Sequence, residues 1–195
     1  MRNTFVIVLS LCSALFCWSQ NKYDSLEYIT LEEAKNKSVE EVVALDLSKS
    51  KYTELPYELF NYTSLMGLKL TKNKLDSLPE EFKTLNQLRY VYLAKNKFKE
   101  FPVVLFQLAQ LEVLSLERNK IQNLPKGIVA LQEIRYLDLW DNRIKSFPIE
   151  LVDLPNLEYL DVRGMTFSPT FVKSWNEKLP NTAIQFEKPC ACMDD

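Results

Sequence analysis

Three groups of residues in this chain carry side chains that could do chemistry. Asp138 and Asp161 stand 23 residues apart, with Asp141 close by. A carboxylate pair is the minimum for acid–base or glycoside chemistry. Tyr136, Trp140, Tyr159 and Arg163 are the residue types enriched at binding hot spots. Cys190 and Cys192 form a Cys-x-Cys tail, which could close a small disulfide, pair between chains or bind a soft metal. The composition excludes much of the rest. The 195 residues contain no His, which removes His general bases, His metal ligands and a His pH switch. Gly67, Gly127 and Gly164 are the only glycines, and no phosphate loop, nucleotide fingerprint or Gly-x-Ser-x-Gly elbow can be assembled from them. A metal site usually wants four ligands, so a disulfide of open connectivity is the better reading of the tail. No cofactor, metal or catalytic residue is expected. Asp138 and Asp161 have no sequence around them that would build a cleft to exclude water.

The net charge is −2, from 24 basic and 26 acidic residues, and a general nucleic-acid binder would need a basic excess. Hydrophobic residues make up 47%, enough for one ordinary domain with a sizeable core. The chain opens with Arg2, an apolar run from Phe5 to Phe16, and small residues at Cys17 and Ser19 before polar Gln20. This pattern reads as a signal peptide over 1–19, too short for a membrane span of about 20 apolar residues. A secreted, periplasmic or cell-surface location follows. Acylation at Cys12 or Cys17 is a minor alternative, because Leu11 and Phe16 precede them where a small residue is wanted.

The elements that must position these residues come from a strict repeat. Apolar triplets of the form L-x-x-L-x-L begin at Val42, Leu65, Leu88, Leu111, Ile134 and Leu157, each 23 residues after the last. Each unit passes the same stations: Leu114-Ser115-Leu116, then Asn119, Ile121, Leu124-Pro125, Ile128 and Leu131. The period-two alternation marks a short strand with one buried face. Asn73, Asn96, Asn119 and Asn142 fall where the chain leaves the strand, and their amides can satisfy turn backbone here and in the next coil, as a ladder. The Leu-Pro or Phe-Pro step then turns the chain onto the other side, where Pro fits the first turn of a short helix. Pairs such as Phe82 and Leu85 suit one inward-facing helical or 3-10 turn. One unit cannot bury its own apolar face, and at least about three stacked units are needed. The first carries Ser50 at the Asn station and the sixth carries Met165, so the array spans 42–165 and decays at both ends.

These residues resemble the leucine-rich-repeat superfamily, with the L-P-x-x-(L/I/F)-x-x-L spacing of its Ras-suppressor and plant-resistance members. The resemblance covers about two thirds of the chain. It implies an α/β fold, a right-handed solenoid with a parallel β-sheet on the concave face and short helical or 3-10 segments on the convex face. It also implies a protein-binding role, without naming a ligand. Residues 20–41 and 166–188 then read as caps, with a capping box at Thr30-Leu31-Glu32-Glu33. Ser168-Pro169 opens a helix through Trp175, and Thr182 to Phe186 forms a last edge strand. Residues 189–195 are a Cys-containing tail.

In such a repeat, positions 2, 3, 5, 7 and 8 face concave solvent. That places Tyr90, Tyr92, Tyr136, Asp138, Trp140, Asp141, Tyr159, Asp161 and Arg163 on one exposed face, a candidate protein or peptide interface centred on Trp140; the alternative is that the aromatics simply fit a pleated surface and shield the sheet. Position 8 gives a basic edge of Lys49, Lys72, Lys95 and Arg118, continued at position 10 by Lys51, Lys74, Lys97, Lys120 and Arg143. That edge could meet an anionic polymer or glycan, although keeping a sheet edge soluble explains it as well. The expected product is a monomeric, secreted or envelope-exposed binding module for a protein or peptide. An intracellular Ras-suppressor-like scaffold is the alternative.

Overall fold

The computed structural model describes residues 24–187. The proposed signal segment and Cys190 and Cys192 lie outside the described residues. Each apolar triplet forms a three-residue strand: β1 Ala44–Asp46, β2 Gly67–Lys69, β3 Tyr90–Tyr92, β4 Val113–Ser115, β5 Tyr136–Asp138 and β6 Tyr159–Asp161, followed by β7 Ala183–Gln185. The seven form one parallel sheet in chain order. Parallel neighbours need right-handed crossovers, so the chain coils as a right-handed solenoid. The register follows the period: Leu45 pairs with Leu68, Leu68 with Val91, Leu114 with Leu137 and Leu137 with Leu160. These central residues are all fully buried.

On the convex side each coil makes one 3-10 turn: Tyr57–Asn61, Glu80–Thr84, Val103–Gln107, Lys126–Ala130 and Ile149–Asp153. Pro56, Pro79, Pro102, Pro125 and Pro148 sit immediately before them as N-caps, one residue earlier than a first-turn placement. The missing N–H costs nothing there, and the Pro carbonyl accepts from the residue three ahead, as Pro125 does from the Ile128 N–H at 3.0 Å. Leu59, Phe82, Leu105, Ile128 and Leu151 point inward from these turns and are fully buried.

The Asn ladder is the recurring polar feature of the core. The Asn119 amide donates to the Leu93 carbonyl at 3.1 Å and the Leu116 carbonyl at 2.9 Å, and accepts from the Phe98 N–H at 3.1 Å. Asn73, Asn96 and Asn142 repeat the pattern. The second coil each amide reaches is the preceding one, not the next: Asn119 bonds back to Leu93 and Phe98.

Both ends are closed by short helices. In α1, Leu31–Ala34, Thr30 and Glu33 form a full capping box. Ile29 bridges β1 at Leu45, and Leu31 and Ala34 cover the first coil. In α2, Pro169–Lys178, the Ser168 side chain accepts from the Phe171 N–H and Pro169 opens the helix. Phe147, Phe167, Phe171, Trp175 and Phe186 then pack ring against ring over the last coil, with centroids 4.6 to 5.7 Å apart for Phe167 with Phe171 and Phe167 with Phe186.

Asn119→Ala tests the ladder. It strands one buried N–H, that of Phe98, at a cost of about 1–3 kcal/mol, and takes one of two amide donors from the Leu93 and Leu116 carbonyls, which keep Asn96 and Asn142. A loss of roughly 1–3 kcal/mol is expected in urea unfolding. A loss within experimental error would show that the amide is dispensable.

Candidate functional site

The concave face differs from a uniformly wetted surface. Tyr90, Tyr92, Tyr136, Asp138 and Asp161, expected in solvent, are all buried: Tyr136 is 1% exposed and both aspartates 0%. Strand periodicity assigned them the correct face of the sheet and the wrong depth. Tyr90, Tyr92, Val113 and Tyr136 form a second apolar cluster with Leu26, Tyr28 and Tyr159 packed against it. Strands about 5 Å apart bring tall rings into contact, and Tyr136 stacks flat on Tyr159 with centroids 4.7 Å apart. Burial pushes the Tyr92 and Tyr159 hydroxyls well above the usual phenol range.

The two aspartates serve their own strands. Asp138 Oδ1 accepts from the Trp140 N–H at 3.0 Å, and Asp161 Oδ1 from the Arg163 N–H at 3.1 Å. Asp46 does the same for the Ser48 N–H at 2.8 Å. An Asp at this station therefore caps the end of the strand. Asp161 also binds the Arg163 guanidinium, at 2.5 Å from Oδ2 to a terminal nitrogen. Asp138 has no such cation, and its Oδ2 has no hydrogen-bond partner. Burial, and then the charges of Glu117 and Asp161, push its carboxyl up to about 8 against the opposing Trp140 N–H. Among the described residues no acidic cluster has the arrangement of a metal site.

What remains accessible gathers at the C-terminal end of the face. Trp140, Tyr159 and Arg163 are half-buried and Asp141 is exposed. The Arg118 guanidinium lies 4.7 Å from the Trp140 ring centroid and 3.6 Å from the Asp141 carboxylate. Gly164, left-handed at φ 76°, follows in the next coil, where an added Cβ would come within 3.3 Å of the indole nitrogen. The structure thus brings Trp140, Asp141, Arg163 and Tyr159 together with Arg118, a residue assigned by sequence to the basic edge. Lys95 also leaves that edge, at 3.9 Å from Glu117. Lys49 and Lys72 stay exposed, as do Lys51, Lys74, Lys97, Lys120 and Arg143.

Three features escaped the sequence reading. Position 8 is left-handed in every coil, with φ 61° at Lys49 and Lys72, 58° at Lys95, 53° at Arg118 and 55° at Asp141. Position 2 alternates in sign, and Arg89 pairs with Glu112 and Arg135 with Glu158 across adjacent strands. The alternation Arg-Glu-Arg-Glu at a 23-residue step was available to find it. Finally, residues 24–28 lie on the concave face. Asp24 accepts hydrogen bonds from the Tyr28 hydroxyl at 2.5 Å and the Tyr92 hydroxyl at 2.8 Å.

A family model described as leucine rich repeat matches residues 40–98 and 102–164. No curated protein is similar to the chain. Among solved structures, a leucine-rich-repeat protein of Leptospira interrogans superposes with a TM-score of 0.66 at 26% identity, over 83% of this chain and 49% of that one. The chain thus spans about half the length of that protein. Internalin C2 of Listeria monocytogenes superposes with a TM-score of 0.64 at 24% identity, over 82% of this chain and 67% of that one. The ectodomain of the plant membrane receptor kinase GASSHO1/SCHENGEN3 of Arabidopsis thaliana, solved in complex with Casparian strip integrity factor 2, gives 0.53 at 26% identity, over 65% of this chain and 16% of that one.

Asp138 makes a pH prediction. Its carboxyl is raised in the fold, so its contribution is complete below the unfolded value of 3.8 and is lost as pH rises through about 8. Asp138→Asn keeps an acceptor for the Trp140 N–H and removes the ionisation. The melting temperature of the variant relative to the native chain should therefore climb steadily from about pH 4 to about pH 8. A difference independent of pH would show that Asp138 is not buried as a neutral acid.

Proposed function

The chain belongs to the leucine-rich-repeat family, and on that premise we propose that it is a binding module for a protein or peptide partner, working outside the cell or at its envelope. The observation that carries this reading is the Arg118–Trp140–Asp141 assembly. An indole with a guanidinium over its ring and Gly164 close against its nitrogen edge is a large, half-buried aromatic surface with its cation already in place. Such residues dominate interface energetics, and those already ordered lose little freedom on binding. Tyr159 and Arg163 extend the patch along the next strand. The receptor ectodomain solved with Casparian strip integrity factor 2 is one similar fold used for partner binding. The envelope location rests on the sequence of residues 1–19 alone. A mature N-terminus near Gln20 in a periplasmic or culture fraction is expected, and an intact Met1 in the cytosol would favour the intracellular scaffold.

Trp140→Ala should lower partner capture at least about tenfold, the loss typical of a hot spot costing more than about 1.4 kcal/mol. The melting temperature should stay close to that of the native chain. Tyr136→Ala belongs to a different class now that the ring is core, and it should lower stability by roughly 3–5 kcal/mol, as truncation of a buried aromatic does. Equal capture by the Trp140→Ala protein and the native chain would remove the patch from consideration.

A further inference from the structure

Residues 24–28 cross the concave face as an extended segment with alternating exposure. Asp24, Leu26 and Tyr28 are half-buried against the face, whereas Ser25 and Glu27 are exposed. The alternation is that of a strand, yet among the described residues the segment's main chain pairs with none. Main-chain bonding to the sheet begins at Ile29, whose N–H donates to the Ala44 carbonyl. The Leu26 N–H donates to the segment's own Asp24 side chain. Among the described residues, 24–28 are therefore held to the face by three side chains, as a bound peptide is, and not by a ladder.

The face is shaped to take those side chains. The Tyr92 hydroxyl donates to Asp24 at 2.8 Å. The Lys69 ammonium sits 3.6 Å from the Tyr28 ring centroid and 5.7 Å from that of Tyr92, and the two rings meet edge to face at 6.5 Å. Gly67 is the telling residue. The equivalent station in the other coils holds Ala44, Tyr90, Val113, Tyr136 or Tyr159. The Gly67 backbone does not need glycine, because Gly164 is the glycine with positive φ among the described residues. What requires it is space: a Cβ there would stand 2.5 Å from the Tyr28 hydroxyl oxygen and 2.9 Å from Leu26 Cδ1.

We propose that Gly67, Lys69 and Tyr92 form a second recognition site of this module, specific for an extended acidic-x-aliphatic-x-aromatic segment of a partner protein, and that residues 24–28 occupy it in cis. A partner presenting the same pattern exchanges with the strap, since among the described residues it is side-chain contacts that hold the strap to the face. The idea rests on the reading of the concave sheet as a binding face, but not on Trp140.

The test uses the full chain and a labelled peptide of residues 24–30, Asp-Ser-Leu-Glu-Tyr-Ile-Thr, followed by fluorescence anisotropy. Removing the strap's own contacts with Asp24→Asn, Leu26→Ala and Tyr28→Ala together should raise peptide affinity at least tenfold over the native chain. A scrambled peptide should not bind, and adding Gly67→Val should abolish binding. Should the triple variant fail to fold, Asp24→Asn alone replaces it, with an expected gain of at least threefold. Peptide affinity unchanged by freeing the site, or indifferent to Gly67→Val, overturns the proposal. Trp140→Ala should leave the peptide titration unchanged, so the failure of either site can be told from that of the other.

Discussion

A coil that turns inward at the end of every strand buries peptide groups that no strand or helix can pair. The Asn side chain at 73, 96, 119 and 142 resolves that problem, and the rest of the array is fitted around it. Each amide serves two coils at once, at separations of 26, 3 and 21 residues that do not change along the stack. One inserted residue between two Asn stations would break bonds in both coils, which is why the 23-residue period holds without a slip. Where the station loses its amide, the array ends. Ser50 reaches only the neighbouring Ser48 carbonyl, at 3.4 Å, and Met165 is simply buried as an apolar residue. The helical caps lie beyond those two points.

The same turn explains the left-handed column. Just before each Asn, the backbone at position 8 must reverse so that its N–H reaches the next coil, as Lys72 does to Ala94 at 2.9 Å and Arg118 to Trp140 at 2.7 Å. A non-glycine residue in that conformation costs roughly 1 kcal/mol or more. The inter-coil hydrogen bonds offset it in Lys49, Lys72, Lys95, Arg118 and Asp141, and Gly164 avoids it. From this column the Arg118 guanidinium reaches over the indole of the following coil, and Lys49, Lys72, Lys95 and Arg118 form a row of cations whose backbones are fixed.

The period, the apolar stations, the Asn ladder and both caps were legible because each follows from a local rule: alternation, spacing or capping chemistry. Thr30 with Glu33, and Ser168 with Pro169, illustrate how far such rules reach. Depth was not legible. Period-two patterning says which side of a sheet Asp138 faces, but its exposure depends on what stands beside and above it, here Tyr136, Trp140 and Glu117 from the same and adjacent coils. The strap was missed for a related reason. Residues 24–28 precede the repeat, so no periodicity places them. The sequence carries two hints of it, the alternation Asp-Ser-Leu-Glu-Tyr and a glycine at 67 in a column otherwise filled by side chains.

The concave face is consequently divided. Over β2 and β3 the sheet is covered by the chain itself, through contacts that read charge, aliphatic bulk and an aromatic ring. Toward β5 and β6 the rings of Tyr136 and Tyr159 stack into a floor, and the accessible chemistry moves to the rim, to Trp140 and the charged residues around it. A ligand that used the whole face would have to displace the strap and accept a floor of tyrosine with few free polar groups. A ligand confined to the rim meets an aromatic surface flanked by Arg118, Asp141 and Arg163, each already oriented by a partner within the fold. Pairing those charges in advance lowers the cost of ordering them, and it also fixes where an incoming carboxylate or amide can compete. Specificity on this solenoid is therefore written less by the columns that face the concave side than by the few residues that interrupt them.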